Sequence, residues 1–225
     1  MIVFGKQIFI YILEKYPKLI KNIYLAKEID KKLFSKIGRL NQKIIKLDFK
    51  KAQAMSRGGN HQGFLLEIEP YEFSSFDTLK EQNFLLVLQG ITDVGNIGAI
   101  VRSAYSLGVD GIIISGVKNI KIDAVARSSS GALFDMPIAM MQNELDTINE
   151  LKQVGFTVYG ADKSGVDIRS TNINLKKALF MGSEGEGLSN KLLKKMDKLL
   201  SIKMEREFES LNVSVATAIL CDRMR

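Results

Sequence analysis

Phe84-Leu85-Leu86-Val87-Leu88, then a helical pattern over 97–107, then Gly111-Ile112-Ile113-Ile114-Ser115: this succession sets the fold class of the chain. Each apolar run has strand length and no polar alternation, and the segment between them repeats its apolar residues with helical period. The alternation continues with helical patterns over 125–133 and 145–154, strands over 157–160 and 177–181, a helix over 188–196, a strand over 200–204 and a helix over 212–224. Uninterrupted apolar strands are buried on both faces, which predicts an α/β domain over 83–225 with a mostly parallel sheet covered by helices on both sides. In such folds the ligand crevice forms where the strands end.

Upstream, residues 1–70 carry 14 Lys and Arg against 6 Asp and Glu, a net of +8; the remaining residues carry 18 against 19, a net of −1, so the chain's +7 lies entirely in its first third. Such a localised surplus suits a phosphate-binding module, although a solvated lysine-rich surface has the same composition. Residues 5–14 and 17–25 are expected as helix then strand, 31–40 as a helix, and 43–49 and 63–68 as strands, giving a small α/β domain. The aperiodic stretch around Glu69-Pro70-Tyr71-Glu72 opens a linker, 71–82.

One histidine, His61, and one cysteine, Cys221, leave little material for nucleophilic or metal chemistry. A closed zinc site needs a full tetrahedral set of such ligands, so no metal is expected. Carboxylates, amides, hydroxyls and arginines must then serve a bound cofactor that carries the reactive group. His61, between Gly59 and Gly63, is read as a turn or RNA-contacting residue. The apolar runs fall far short of the roughly 20 residues that span a bilayer. Residues 1–12 lack an export signal, and a lone cysteine suits a reducing compartment, so a cytoplasmic location is expected.

Three stretches sit on strand exits: Asn96-Ile97-Gly98-Ala99-Ile100-Val101-Arg102, Gly182-Ser183-Glu184-Gly185-Glu186-Gly187-Leu188 and Ser210-Leu211-Asn212-Val213-Ser214-Val215-Ala216. In the first, glycines allow close backbone approach, and Arg102, expected on the first or second helical turn, offers a planar fork to a phosphate or carboxylate. The second matches neither a dinucleotide nor a nucleotide-triphosphate loop, and its glutamates favour a ligand with hydroxyls, amines or positive charge. The third opens an apolar helix with cap residues. Taken singly, each also fits an ordinary turn or helix cap.

Taken together, N-x-G-A-x-x-R, G-S-E-G-x-G-L and S-L-N-V-S-V-A in this order resemble the SpoU (TrmH-like) branch of the SPOUT RNA methyltransferases. The Gly5-Lys6-Gln7 and His61-Gln62-Gly63 segments extend the resemblance to members with a ribosomal-protein-like RNA-binding domain. The layout is most like that of members that methylate a 23S rRNA guanosine at its ribose 2′ oxygen. The resemblance implies a carboxyl-terminal trefoil knot, a homodimer and S-adenosylmethionine as cofactor. It implies that Gly182, Ile202 and Leu211 surround that cofactor, and that Asn96, Arg102, Glu184, Ser210 and Asn212 form the polar catalytic set. A tRNA ribose methyltransferase and a non-catalytic ribosome-assembly factor are the alternatives. The chain departs from the family pattern at Val94 and Lys203, where proline is usual, and at Phe208-Glu209, where a glycine is usual.

Overall fold

The computed structural model describes residues 1–206 and 208–225; Glu207, in the polar loop ahead of the third stretch, lies outside them. In chain order the first elements are β1 (Ile2–Phe4), α1 (Lys6–Lys15), β2 (Ile20–Leu25), α2 (Lys31–Gly38), β3 (Lys43–Lys46), α3 (Phe49–Met55) and β4 (Phe64–Ile68). Then follow α4 (Phe76–Lys80), β5 (Phe84–Gln89), α5 (Val94–Ser106), β6 (Gly111–Ser115), α6 (Ile122–Ser128), β7 (Ile138–Met141) and α7 (Glu144–Gln153). The last are β8 (Thr157–Asp167), β9 (Lys177–Met181), α8 (Asn190–Leu193), β10 (Lys198–Ser201) and α9 (Val213–Met224). Contacts divide the chain into two compact units, Met1–Glu72 with Lys121–Phe134, and Phe73–Ile120 with Asp135–Arg225.

The first unit is built on a four-stranded sheet of order β1-β4-β2-β3. β4 runs antiparallel to β1 and β2, and β3 runs parallel to β2. One face of α1, with Ile8, Phe9, Ile12 and Leu13 buried, supplies much of its core, and the Phe9 and Phe64 rings meet at 4.9 Å. Two elements went unanticipated. β1 is too short to display alternation, and α3 takes Phe49 out of the expected strand because the Asp48 side chain accepts from the Lys51 amide at 2.8 Å and starts a helix there. Residues 121–134, assigned from sequence to the carboxyl-terminal domain, group with this unit for packing reasons. The Arg127 guanidinium lies 4.8 Å over the Phe4 ring, and Phe134 sits 5.8 Å from Tyr16. At Gly131, with φ of +96°, a side chain would strike the Tyr11 ring at 2.6 Å.

The second unit is the expected α/β domain. Its six strands run in the order β10-β8-β9-β5-β6-β7, and every pairing is parallel. Leu85, Leu86, Val87 and Leu88 are all fully buried, so both faces of β5 are covered. On one face Leu85, Val87, Ala178 and Phe180 pack with Leu79, Ile148, Leu151 and Leu192. A helix here buries apolar strand surface at about 25 cal/mol per Å², the dominant favourable term in such a core. β7 is a strand that the sequence did not announce. β8 runs longer than expected, with a register break where Leu199 and Leu200 of β10 pair with Gly160 and Val166. Among the described residues, no helix is long and apolar enough to cross a membrane.

Candidate active site

Because all six strands of the second unit are parallel, the segments leaving β5, β9 and β10 emerge from one edge of the sheet. The three singled-out stretches lie on those exits. After β5, the Asp93 side chain accepts from the Asn96 amide at 2.7 Å and caps α5. The helix therefore starts at Val94, earlier than expected, and Asn96 lies on its first turn. After β10, Asn212 caps α9.

Asn212 joins the three exits. Its Nδ2 donates to Glu184 Oε1 at 2.7 Å and to Asn96 Oδ1 at 3.1 Å. Its Oδ1 accepts from the Ser214 amide at 3.0 Å and from the Ser214 hydroxyl at 2.6 Å. One amide thus spends both its hydrogens and its oxygen on holding a helix start, a glycine-rich loop and another helix start together. Ser214 completes this arrangement; it belongs to the third stretch but was not picked out as a site residue.

Glu184 stands on a loop whose geometry demands glycine at its base. Gly182 is buried, and a Cβ there would lie 2.1 Å from the Gly187 carbonyl carbon and 2.4 Å from the Leu188 nitrogen. The loop closes on itself through a Ser183–Gly187 bridge, leaving Glu184 and Glu186 exposed. Ser189 then caps α8, accepting from the Leu192 amide. That helix is shorter than the expected 188–196.

Other site candidates stand apart from this cluster. Arg102 is the ninth residue of α5, on its third turn and not its first or second, because Asp93 starts the helix early. Six residues beyond Asn96, it is about 9 Å further along the axis and about 120° around it. It shares a face with Gly95 and Gly98, which carry no side chain. Its guanidinium is exposed and bonds to no other described residue. Ser210 is exposed, with no side-chain hydrogen bond among the described residues. Ile202 follows β10, which ends at Ser201 and begins two residues earlier than expected. Ile202 and Leu211 are half-buried.

The same sheet edge holds a polar group that sequence gave no reason to assemble. Gln89 and Ser115 are register partners at the ends of β5 and β6. Gln89 Nε2 donates to Glu144 Oε1 at 2.7 Å, while Gln89 Oε1 and Ser115 Oγ are buried with no partner among the described residues. Cys221, inside α9, is fully buried, and burial pushes its thiol up to about 12, so it stays protonated and inert near neutrality. His61, in the first unit, is 4% exposed and its Nδ1 accepts from the Gly63 amide at 3.0 Å, the turn role anticipated for it.

Comparison with known proteins bears on this arrangement. The SpoU rRNA Methylase family matches residues 83–222, and the family described as RNA 2′-O ribose methyltransferase substrate binding matches residues 2–74. A TrmH family tRNA/rRNA methyltransferase of Staphylococcus aureus is 37% identical over 169 residues, 71% of this chain and 68% of that one. A protein of the same description from Bacillus subtilis is 35% identical over 171 residues, covering 72% and 69%. Among solved structures, an AdoMet-bound rRNA methyltransferase from Sinorhizobium meliloti superposes with a TM-score of 0.79 at 25% identity, over 100% of this chain and 86% of that one.

Proposed function

Because the chain belongs to the SpoU rRNA methylase family of RNA methyltransferases, we propose that it transfers a methyl group from S-adenosylmethionine to the ribose 2′ oxygen of a guanosine in 23S rRNA. In this reading residues 83–225 carry out the transfer, with their carboxyl-terminal chain threaded as the family's trefoil knot, and residues 1–70 take up the RNA. The enzyme acts as a homodimer in the cytoplasm. The observation that carries the reading is the Asn212 clamp, which joins the three motif-bearing exits at one sheet edge. Exposed apolar side chains at Met204, Phe208 and Val215 favour a second copy. The net charge of +8 over residues 1–70 and the substrate-binding match favour a structured RNA. The rRNA assignment draws on the family description and on the Sinorhizobium relative.

The residues present fit the cofactor. The loop over Gly182 has no room for a side chain at its base and offers backbone to an adenosine. Its two exposed glutamates suit a ligand bearing sulfonium and ammonium charge, and half-buried Ile202 and Leu211 offer apolar flanks. Bound there, S-adenosylmethionine supplies an electrophilic methyl group. The chain's own part is alignment and charge. Guanidinium stays protonated in proteins, so Arg102 is no general base. It binds a phosphate of the target nucleotide and stabilises negative charge developing on the 2′ oxygen, while a phosphate oxygen or water takes the proton. Asn212 fixes Glu184 and Asn96 so that the reacting atoms meet in line, and exposed Ser210 offers its hydroxyl to the ligands.

The test is to incubate labelled S-adenosylmethionine and the protein with 23S rRNA and tRNA from a strain lacking the gene, then to map 2′-O-methyl positions. Label in 23S rRNA is expected; label confined to tRNA overturns the substrate assignment. Arg102→Ala is expected to abolish transfer with cofactor affinity nearly intact, and undiminished transfer would remove Arg102 from the mechanism.

A further inference from the structure

A cleft of about 440 Å³ in the first unit is lined by Lys27, Phe49, Gln53, Asn60, His61 and Gln62 among others. None of these residues takes part in the proposed transfer. The volume lies within the range of about 300–1,000 Å³ found for small-ligand sites. We propose that this cleft is a subsite for one unstacked base of single-stranded RNA, with Phe49 as its stacking platform. The proposal rests on RNA being the substrate, and adds where and in what form it is gripped.

The first argument is the exposure of Phe49. Its ring is 69% exposed, which is unfavourable for so large an apolar side chain. Its helix is fixed by the Asp48 cap, and the ring lies 5.4 Å from the His61 ring at 48°. His61 is itself anchored, with Nδ1 accepting from the Gly63 amide, so its remaining polar atom is Nε2. An exposed aromatic face backed by a second ring is what a base stacks on. A base within a duplex has both faces covered and cannot use it.

The second argument is the polar lining. The side-chain amides of Gln53 and Asn60 make no hydrogen bond among the described residues. Each offers a donor and an acceptor, matching the mixed edge that every base presents. Gln62 is already committed, its Oε1 accepting from the Lys6 amide at 3.0 Å, and so fastens the rim to the start of α1. The third argument is charge. The Lys27 ammonium, which also lines the cleft, sits 4.5 Å over the Phe64 ring and offers a cation to a nucleotide's phosphate.

The probe is a fluorescein-labelled single-stranded RNA of about 12 nucleotides, within the range of roughly 4–16 that small single-strand-binding modules cover. It is titrated with the full chain by anisotropy, without S-adenosylmethionine and at one salt concentration, beside the same strand annealed to its complement. Phe49→Leu keeps apolar cover but removes the aromatic face. Both it and Phe49→Ala are expected to weaken single-strand binding about five- to hundredfold, the range of one lost base stack, with duplex binding unchanged. Phe49→Trp is expected to bind as the unmodified chain does. The proposal is overturned if the unmodified chain shows no preference for the single strand. It is equally overturned if Phe49→Leu binds that strand normally, or if single strand and duplex weaken together. The measurement contains no S-adenosylmethionine and reads no transfer, so failure of the methyl-transfer reading leaves it untouched.

Discussion

Replacing Asn212 by aspartate separates two tasks that the wild-type side chain performs at once. The oxygen side of the amide caps α9 through Ser214; the nitrogen side ties Glu184 and Asn96. Asn212→Ala loses both, and loss of an N-cap costs about 0.5–2 kcal/mol. In a chain of this size each kcal/mol moves the melting temperature by roughly 2–4 °C. Asn212→Asp keeps the cap and gains about 0.3–1 kcal/mol from the helix dipole. Against that, it faces the Glu184 carboxylate across the former hydrogen bond. Both groups are exposed, so at about 4 Å their repulsion is close to the aqueous value of about 1 kcal/mol. The two terms nearly cancel, and Asn212→Asp should melt within a few degrees of the wild type while Asn212→Ala melts lower. Methyl transfer should nevertheless fall on the order of a hundredfold in both variants, since a loop displaced by about 1 Å is enough for that loss. Calorimetric melting and labelled-cofactor transfer measure the two quantities separately. If Asn212→Asp transferred methyl at the wild-type rate, the clamp would be a cap and nothing more.

Gly182→Ala places a methyl 2.1 Å from the Gly187 carbonyl carbon, so the loop must open. A stability loss of about 1–3 kcal/mol and weakened S-adenosylmethionine binding by titration calorimetry are expected; wild-type affinity would detach this loop from the cofactor. In the first unit, hydrogen bonds from Asn22 and Tyr24 hold the Glu67 carboxyl below its ordinary value of 4.5. A carboxylate with a depressed folded-state value contributes stability above 4.5 that is lost as pH falls through the lowered one. Tyr24 is shifted up by burial first and by the Glu67 hydrogen bond next, so its contribution is present below 10.0 and lost as pH rises through the raised value. Glu67→Gln should flatten the acid limb of a pH-dependent melting series, and an unchanged acid limb would discount the network.

What could be read from sequence follows how a residue's position is decided. β5, β6 and β9 were legible because a strand buried on both faces is an apolar run whatever surrounds it. β7 was not. Pro137 precedes it and two of its four residues, Met140 and Met141, are adaptable side chains that say little about backbone shape. The helix expected over 188–196 had the right apolar spacing, since Leu188 and Leu192 do enter the core. It stops at Leu193 because Asp197 is claimed by the sheet. Its amide donates to the Val158 carbonyl at 2.8 Å and its carboxylate accepts from the Val158 amide. That anchor also begins β10 at Lys198, before its most apolar residues, which is why Ile202 falls outside the strand. Periodicity records which side chains are buried, and here a long-range contact chose the backbone.

The candidate site divides along the same line. That the three exits share an edge follows from an all-parallel sheet, and parallel order was legible. Which side chains then touch was not, because Asn96, Glu184 and Asn212 are far apart in the chain and meet only through the folded register. The same argument sharpens the role of Arg102. A sequence carrying an arginine in one motif and glutamates in the next invites an ion pair between them, and such a pair would hold Arg102 with its charge compensated. Instead the Glu184 carboxylate is engaged by the neutral amide of Asn212, and the exposed Arg102 has no partner for its guanidinium among the described residues. Of the two glycines on its helix face, Gly95 is exposed and Gly98 is buried, so the cation is the accessible polar group there. An anionic ligand reaching that face meets no carboxylate already bound to the arginine, which is the condition a phosphate-orienting residue requires.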